Sequence, residues 1–97
     1  MNKKLIKKEA QDSVTKYNKI NKTQYTIRFR AQFAYLNRGS TQIGRLKYDE
    51  ATKEWDFAVY KYSNNAYDPE EFMFPGYELL DGTIEGAMQA GMKIYPE

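Results

Sequence analysis

Apolar residues recur every three or four positions over the first part of the chain. This spacing predicts an amphipathic helix over residues 3–21, because side chains three and four positions apart share one face of a helix. The apolar stripe contains Ile6, Ala10, Val14, Tyr17 and Ile20. The lysines on the opposite side indicate a solvated helix face, and they are Lys4, Lys8, Lys19 and Lys22.

Strict alternation replaces this spacing over residues 24–36 and predicts one long strand. Its apolar positions are Tyr25, Ile27, Phe29, Ala31, Phe33 and Tyr35. The other parity carries Arg28 and Arg30 among polar residues, so we expect one buried face and one solvated face. The segment Asn37-Arg38-Gly39 then supplies a turn.

Two further strands are predicted over residues 42–48 and 55–62. In the first, Leu46 lies on the apolar parity, whereas Arg45 and Lys47 lie on the other. In the second, the expected inward positions are Trp55, Phe57 and Val59, and the expected outward positions are Asp56, Ala58, Tyr60 and Tyr62. From these parities we expect a core that includes Phe29, Phe33, Leu46, Phe57 and Val59.

The remaining residues predict an irregular segment over 63–71 and a short fourth strand over 77–80. Thr83 is the predicted N-cap of a helix over 84–95, because its hydroxyl can accept a hydrogen bond from the first helical turn. Gly91 on the inward side of that helix indicates a close approach of its backbone to the sheet. The order is therefore α-β-β-β-(β)-α. It predicts a single α+β domain over residues 1–97, an antiparallel three- or four-stranded meander with a helix at each end.

Composition narrows the possible chemistry. The chain has 97 residues, 15% of them aromatic, so we expect one small domain with an aromatic rather than aliphatic core. It contains no Cys and no His, which excludes disulfides, thiolate zinc sites and the Ser-His-Asp and Cys-His catalytic systems within one chain. No apolar run is long enough for a signal peptide or a membrane span. We expect a cytoplasmic protein without a cofactor or a metal ion and with no membrane partner.

Charge divides the chain into two halves. Residues 1–48 carry twelve Lys or Arg and two acidic residues, giving +10, and residues 49–97 carry three Lys and eleven acidic residues, giving −8. The sum is the net charge of +2. Either the two halves neutralise each other across a small fold, or one face stays basic and binds an anion.

The predicted order of elements resembles that of double-stranded-RNA-binding domains. That family has a lysine cluster at the start of its last helix, where residues 81–85 of this chain are acidic. The pair Trp55 and Ala58, with the pattern G-T-x-E-x-A over residues 82–87, is similar to the plant AP2-type DNA-binding domain. The arginines with which that family reads DNA are mostly missing from residues 55–80.

A third resemblance covers roughly the C-terminal half of the chain. The pattern W-x-F-A-x-Y-x-Y-S over residues 55–63, then Tyr67 and the G-T-x-E-x-A pattern, is similar to small bacterial proteins with no assigned role. This resemblance implies a fold and not an activity.

Two function classes follow from surface residues. A protein-interaction or assembly module, such as a homodimer, is indicated by Phe72, Met73 and Phe74, because aromatic residues and Met are enriched at interfaces. The alternative is that two of these three side chains belong to the core. Nucleic-acid binding is indicated by cations and tyrosines on the solvated sheet face: Arg28, Arg30, Arg45, Lys47, Tyr60 and Tyr62. The alternative here is cross-strand pairing of the arginines with Asp56 and tyrosines.

An enzyme without His or Cys is the third class. No glycine-rich phosphate loop occurs, and Asp68, Glu70 and Glu71 lack the alternating ligand pattern of a calcium loop. Nothing in the sequence singles out a catalytic residue.

Overall fold

The computed structural model describes residues 3–97. One helix precedes a sheet of five antiparallel strands in the order of the chain, and a second helix follows. This architecture confirms the predicted α+β class and the meander between two terminal helices. The elements are α1 (Lys3–Asn21), β1 (Tyr25–Arg30), β2 (Phe33–Arg38), β3 (Thr41–Asp49), β4 (Glu54–Lys61), β5 (Ala66–Asp68), a 3₁₀ helix (Tyr77–Leu79) and α2 (Ile84–Ile94).

Helix α1 has the predicted bounds and buries three residues of the predicted stripe, Ala10, Val14 and Tyr17. Ile20 is 67% exposed, because at 100° per residue it has turned about 120° away from Val14. Asn18 links the end of this helix to β1 through two hydrogen bonds. Its amide nitrogen donates to the Tyr25 carbonyl at 2.8 Å, and its amide oxygen accepts from the Tyr25 N–H at 2.8 Å.

The single strand predicted over residues 24–36 is wrong, because the chain turns back at residues 31–32. Ala31 has a φ of 56°, and Arg30 pairs directly with Phe33. Paired residues of two strands share a face, so odd-numbered residues face inward in β1 and outward in β2. Phe33 therefore leaves the expected core, together with Tyr35. The inward positions of β2 belong to Ala34, Leu36 and Arg38.

A bulge in β3 alters the second predicted parity. Leu36 pairs with Gly44 and Asn37 pairs with Gln42, so the intervening Ile43 has no direct partner. Ile43 points into the core and is fully buried. A Cβ atom at Gly44 would lie 2.8 Å from a backbone carbonyl oxygen of β4, which explains the need for glycine there.

The parity of β4 agrees with the sequence prediction. Val59 is buried, and Trp55 and Phe57 are half-buried against the core. The segment over residues 63–71, predicted to be irregular, contains the short strand β5. The strand expected over residues 77–80 is instead a 3₁₀ turn, because Gly76, with a φ of 91°, bends the chain tightly beneath α2.

Helix α2 begins where the sequence predicts. The Thr83 hydroxyl accepts from the Gly86 N–H at 2.9 Å. The Thr83 hydroxyl and the Thr83 N–H both donate to the Asp81 carboxylate, and these two hydrogen bonds lower the pKa of Asp81. A Cβ atom at Gly91 would lie 2.6 Å from the Tyr25 hydroxyl. The predicted close approach of this helix to the sheet is therefore confirmed.

Both helices pack against one face of the sheet, which we call the inner face; the opposite side is the outer face. The core lies between the inner face and the helices. Its largest fully buried side chains are Val14, Leu36, Ile43, Leu46 and Met88. Tyr17 and Tyr25 are buried with them, whereas Phe29, Trp55 and Phe57 are only half-buried at the margin. The core is therefore more aliphatic than expected.

Arg38, predicted to lie in a turn, is the last residue of β2 and is only 6% exposed. Its guanidinium donates to the carbonyl oxygens of Gly91, at 3.1 Å, and Tyr95, and it forms an ion pair with Glu97 at 3.3 Å. The last carbonyl groups of a helix have no partner within that helix and carry partial negative charge. Arg38 thus closes the C-terminal end of α2 onto the sheet.

Candidate nucleic-acid interface

The outer face carries two cross-strand rows in which cations and aromatic rings alternate. Residues that pair across neighbouring strands share a face and lie about 5 Å apart. The first row runs Arg28, Tyr35, Arg45, Ala58. The second row runs Arg30, Phe33, Lys47, Asp56. We call these the cation–aromatic rows. They contain the four cations that the sequence analysis assigned to this face.

The turn at residues 31–32 is what places Phe33 and Tyr35 in these rows. A continuous strand would have buried both rings beneath the helices, whereas the hairpin brings them between the two arginines of β1 and the cations of β3. Sequence reasoning missed both residues because residues 31–32, Ala-Gln, lack the glycine, proline or asparagine that usually marks a turn. The signal that could have placed these rings is the alternation over residues 33–38, where Ala34 and Leu36 are the apolar residues that suit a buried face.

Arg45 is held between two aromatic rings at the centre of the outer face. Its guanidinium carbon lies 4.1 Å from the centre of the Phe33 ring and 5.5 Å from that of Tyr67. Stacking of this kind fixes the guanidinium plane and leaves its edge for hydrogen bonds. Tyr67 belongs to β5, yet its ring centre is 5.4 Å from that of Tyr35, and the outer-face residue of β4 between them is the small Ala58. Tyr67 is a third member of this site that the sequence did not reveal.

Tyrosines extend this aromatic surface toward the edge of the sheet. Tyr60 contacts Tyr67 and Tyr62, with ring centres 4.9 and 4.8 Å apart. Tyr60 is only 7% exposed, so it supports the surface and does not offer the free ring that the sequence analysis expected. Tyr62 is 47% exposed, and its hydroxyl accepts from the Gln42 N–H at 2.7 Å.

The end of α2 supports this edge from behind. The Tyr95 hydroxyl donates to the Tyr60 carbonyl oxygen, and the Tyr95 ring contacts Tyr62 at 5.3 Å between centres. Burial raises the pKa of Tyr67 and of Tyr95 above the ordinary value of 10.0. Because these tyrosines are uncharged near neutral pH, the charge of the outer face is set by its arginines, its lysine and the carboxylates at its end.

The cations of the rows are not neutralised within the described chain. Among residues 3–97, no carboxylate lies within ion-pair distance of Arg28, Arg30, Arg45 or Lys47. Asp56 is directly opposite Lys47, at the acidic end of its row. One ion pair between described residues, Arg38–Glu97, joins the two charged halves of the chain. The others lie within a half and are Lys8–Asp12, Lys61–Asp68 and Lys61–Glu71.

A groove of about 800 Å³ opens where the outer face meets the turns at residues 31–32 and 50–53. It is lined by Phe33 and Lys47 from the outer face and by Phe29 and Trp55 from the inner face. Trp55 is the only Trp of the chain, so its fluorescence reports on this end of the cation–aromatic rows.

The segment predicted to form an interaction patch does not belong to the cation–aromatic rows. Phe72 is 60% exposed and Met73 is 81% exposed, whereas Phe74 is half-buried with its ring 6.2 Å from that of Phe57. The alternative that two of these three side chains belong to the core is therefore wrong. Two of them form an exposed apolar surface beside Tyr77.

No protein-family model matches the chain, and neither the curated proteins nor the solved structures give a match. The resemblance to small bacterial proteins stays a prediction. Within residues 3–97, no three acidic side chains are arranged to hold a metal ion, and neither helix has the length and apolar character needed to cross a membrane.

Proposed function

We propose that this protein binds single-stranded nucleic acid through the outer face of its sheet. The observation that carries the proposal is the pair of cation–aromatic rows, in which arginines or lysine flank each ring and have no ion-pair partner within residues 3–97. Both helices of the described residues pack against the inner face and leave the outer face open. A cytoplasmic location is part of the same proposal.

The chemistry of the rows suits an unpaired strand. A base that stacks on an aromatic ring contributes about 1–3 kcal/mol whatever its identity, because every base has a flat face. Tyr35 and Phe33 are half-buried and present part of their rings to solvent. Arg28, Arg30 and Lys47 flank them and can contact phosphates. In a duplex the faces of the bases are stacked on one another, so duplex DNA or RNA should bind more weakly.

The remaining residues of the face hold this surface in place. Arg45 is fixed between Phe33 and Tyr67, and Tyr60 lies behind Tyr67. A ring that is already fixed loses little conformational freedom when a base stacks on it, which favours binding. Arg45 therefore positions the aromatic rings and also presents one edge of its guanidinium to the ligand.

Fluorescence anisotropy with labelled oligonucleotides tests the proposal. We expect single strands to bind at about 50 mM salt more tightly than duplexes of the same sequence, since low salt strengthens phosphate contacts. Four phosphate contacts to one strand predict a slope of about −3 for log K against log salt, from roughly −0.7 per contact. A base stacked near the groove should also quench the fluorescence of Trp55.

A matched pair of variants separates this face from net charge. Arg28→Ala with Arg30→Ala removes two cations from the rows, and we expect weaker binding of all sequences, because phosphate contacts do not specify sequence. Lys22→Asn with Lys93→Ala removes the same charge from other exposed positions and should have little effect. Equal losses in the two variants would contradict the proposal. So would the absence of single-strand binding at tens of micromolar protein.

A further inference from the structure

Large apolar side chains are exposed at three places in residues 3–97. Tyr62 belongs to the outer face already described. Leu5 and Ile20 lie on α1 and are 53% and 67% exposed. Phe72, Met73 and Tyr77 lie in the loop between β5 and α2, and are 60%, 81% and 47% exposed. Exposed apolar groups that are rimmed by charge mark interaction sites in soluble proteins.

The loop group borders an acidic groove of about 680 Å³. The floor of this groove is apolar and includes Phe57 and Leu80, and its lining contains neither Lys nor Arg. The groove is also lined by five carboxylates, those of Glu54, Asp56, Glu70, Glu71 and Glu78. Of these, Glu71 is engaged by Lys61 at 3.0 Å. We call Phe72, Met73, Tyr77 and these carboxylates the loop surface.

Helix α1 offers the complementary chemistry around Ile20. Lys16 lies one helical turn before Ile20, and Lys19 lies one turn after Lys16, so both lysines border the exposed Ile20 side chain. Within the described residues neither lysine has an ion-pair partner. Lys8, the lysine nearest to Leu5 on that side, is instead paired with Asp12 at 2.8 Å. We call Lys16, Lys19 and Ile20 the helix surface.

The two surfaces adjoin different strands of the sheet. Helix α1 packs on β1, at one edge of the sheet, whereas the loop surface adjoins β4, three strands away. Three strand spacings correspond to about 14 Å. A chain therefore cannot place its own helix surface in its own groove, but it presents one copy of each surface to its neighbours.

We infer that a second copy of this chain docks its helix surface in the acidic groove of the first. Ile20 would pack against Phe72 and Met73, and Lys16 and Lys19 would face the carboxylates. The occupant is identified by charge, because the acidic half of the chain provides the groove and the basic half provides an exposed apolar side chain beside two lysines. Such a contact joins unlike surfaces, so it extends head to tail and closes only if a ring forms.

Light scattering after size-exclusion chromatography tests this inference. The mass of the natural chain should rise above that of one chain as its concentration increases, and high salt should reverse the rise because the pairing is ionic at its rim. Ile20→Glu and Phe72→Glu should each raise the dissociation constant at least tenfold. Both positions are exposed, so circular dichroism should show folded proteins.

Mixing these two variants is the decisive experiment. Each retains one intact surface, so an equimolar mixture should form a dimer of one Ile20→Glu and one Phe72→Glu chain and stop there. Leu5→Glu is the matched control, since it adds the same charge to the same helix away from Ile20 and should leave association unchanged.

Three results would overturn the inference. A natural chain that keeps the mass of one chain at all concentrations would mean that the groove serves another protein or none. A mixture that fails to pair, or a Leu5→Glu variant that loses association as fully as Ile20→Glu, would place the contact elsewhere. Oligonucleotide binding can be measured separately with these variants, because neither Ile20 nor Phe72 belongs to the cation–aromatic rows, whereas Asp56 borders both sites.

Discussion

The two faces of the sheet differ in the apolar side chains at their centres. The inner face buries aliphatic side chains such as Leu36 and Leu46, which are 0% and 1% exposed under two helices. The outer face collects Phe33, Tyr35 and Tyr67, which stay half-buried beside cations. The aromatic residues, 15% of the chain, therefore contribute to a solvent-facing surface as well as to the core.

The difference follows from the helices, which pack closely on the inner face and leave the outer face open. Gly91 brings the backbone of α2 against Tyr25 and Ile43, so the inner face beneath this helix is closely packed and closed to solvent. On the open face a ring can contact a guanidinium from one side and solvent from the other. Arginine shows the same division, because Arg38 is buried as a helix cap whereas Arg28 is exposed.

Truncation of the inner face should have the largest effect. Leu36→Ala removes a fully buried side chain and should lower the free energy of unfolding by about 2–5 kcal/mol. Tyr35→Ala, one residue earlier on the other face, loses two ring contacts and should cost only about 1–2 kcal/mol. Urea denaturation measures both. A larger loss for Tyr35→Ala would show that the outer face is the true core.

Removing one arginine from each face should separate stability from binding. Arg38→Ala leaves carbonyl groups of α2 and the Glu97 carboxylate without their partner, so we expect a loss of about 3 kcal/mol in unfolding free energy. Arg28→Ala should change stability by less than about 0.5 kcal/mol and weaken oligonucleotide binding. Thermal denaturation and anisotropy on the same two proteins check this. Equal destabilisation would contradict the division between the faces.

Alkaline pH should act on the inner face through Tyr25. Burial raises the pKa of Tyr25 from 10.0 to about 12, and its hydroxyl donates to the Met88 carbonyl oxygen at 2.5 Å. The folded state holds this proton more tightly than the unfolded state does. The stabilisation is therefore fully present below pH 10 and is lost as the pH rises through about 12.

Urea denaturation over that pH range measures the effect. Tyr25→Phe lacks the titrating hydroxyl, so subtracting its profile removes the contribution of the lysines. The difference between the two proteins should shrink as the pH rises from 10 to 12. A constant difference would show that Tyr25 is not the group that titrates.

The smallest effect concerns a single ring of the outer face. Tyr35→Ala should weaken single-strand binding about tenfold, at the low end of the 1–3 kcal/mol of a stacked base. Tyr35→Phe keeps the ring and should bind within about twofold of the natural protein, since stacking does not need the hydroxyl. Anisotropy titrations of the two folded variants with a labelled single strand measure this difference in affinity. A loss in Tyr35→Phe as large as in Tyr35→Ala would indicate a hydrogen bond in place of stacking.

The helices could be predicted from sequence because their signals are local. The stripe through Ala10 and Val14 sets the extent of α1, and Thr83 marks the start of α2 as a cap. The cations of the outer face could be predicted as well, since Arg28 and Arg45 oppose the apolar residues of their own strands.

The rings of the site could not be predicted, because their positions depend on two irregularities. The turn at residues 31–32 has no typical turn residue, and the alternation runs through it without a break, so Phe33 was assigned to the wrong face. The bulge at Ile43 shifts the register by one residue. Tyr67 contacts Tyr35 across Ala58 because the strands that carry them lie in one sheet. This contact cannot be predicted from the sequence of any one strand.

The contact of Arg38 with the end of α2 also affects the order in which the protein can fold. Each strand pairs with its neighbour in sequence, so the hairpins form from contacts close along the chain and can assemble quickly. Arg38, by contrast, needs the carbonyl groups of residues 91 and 95 and the carboxylate of residue 97. During synthesis the hairpins can form while the ribosome is still adding α2, but Arg38 lacks these partners until residues 91–97 have emerged. The burial of Arg38 therefore follows the pairing of the strands, and a chain truncated before residue 91 would lack the groups that bury this charge.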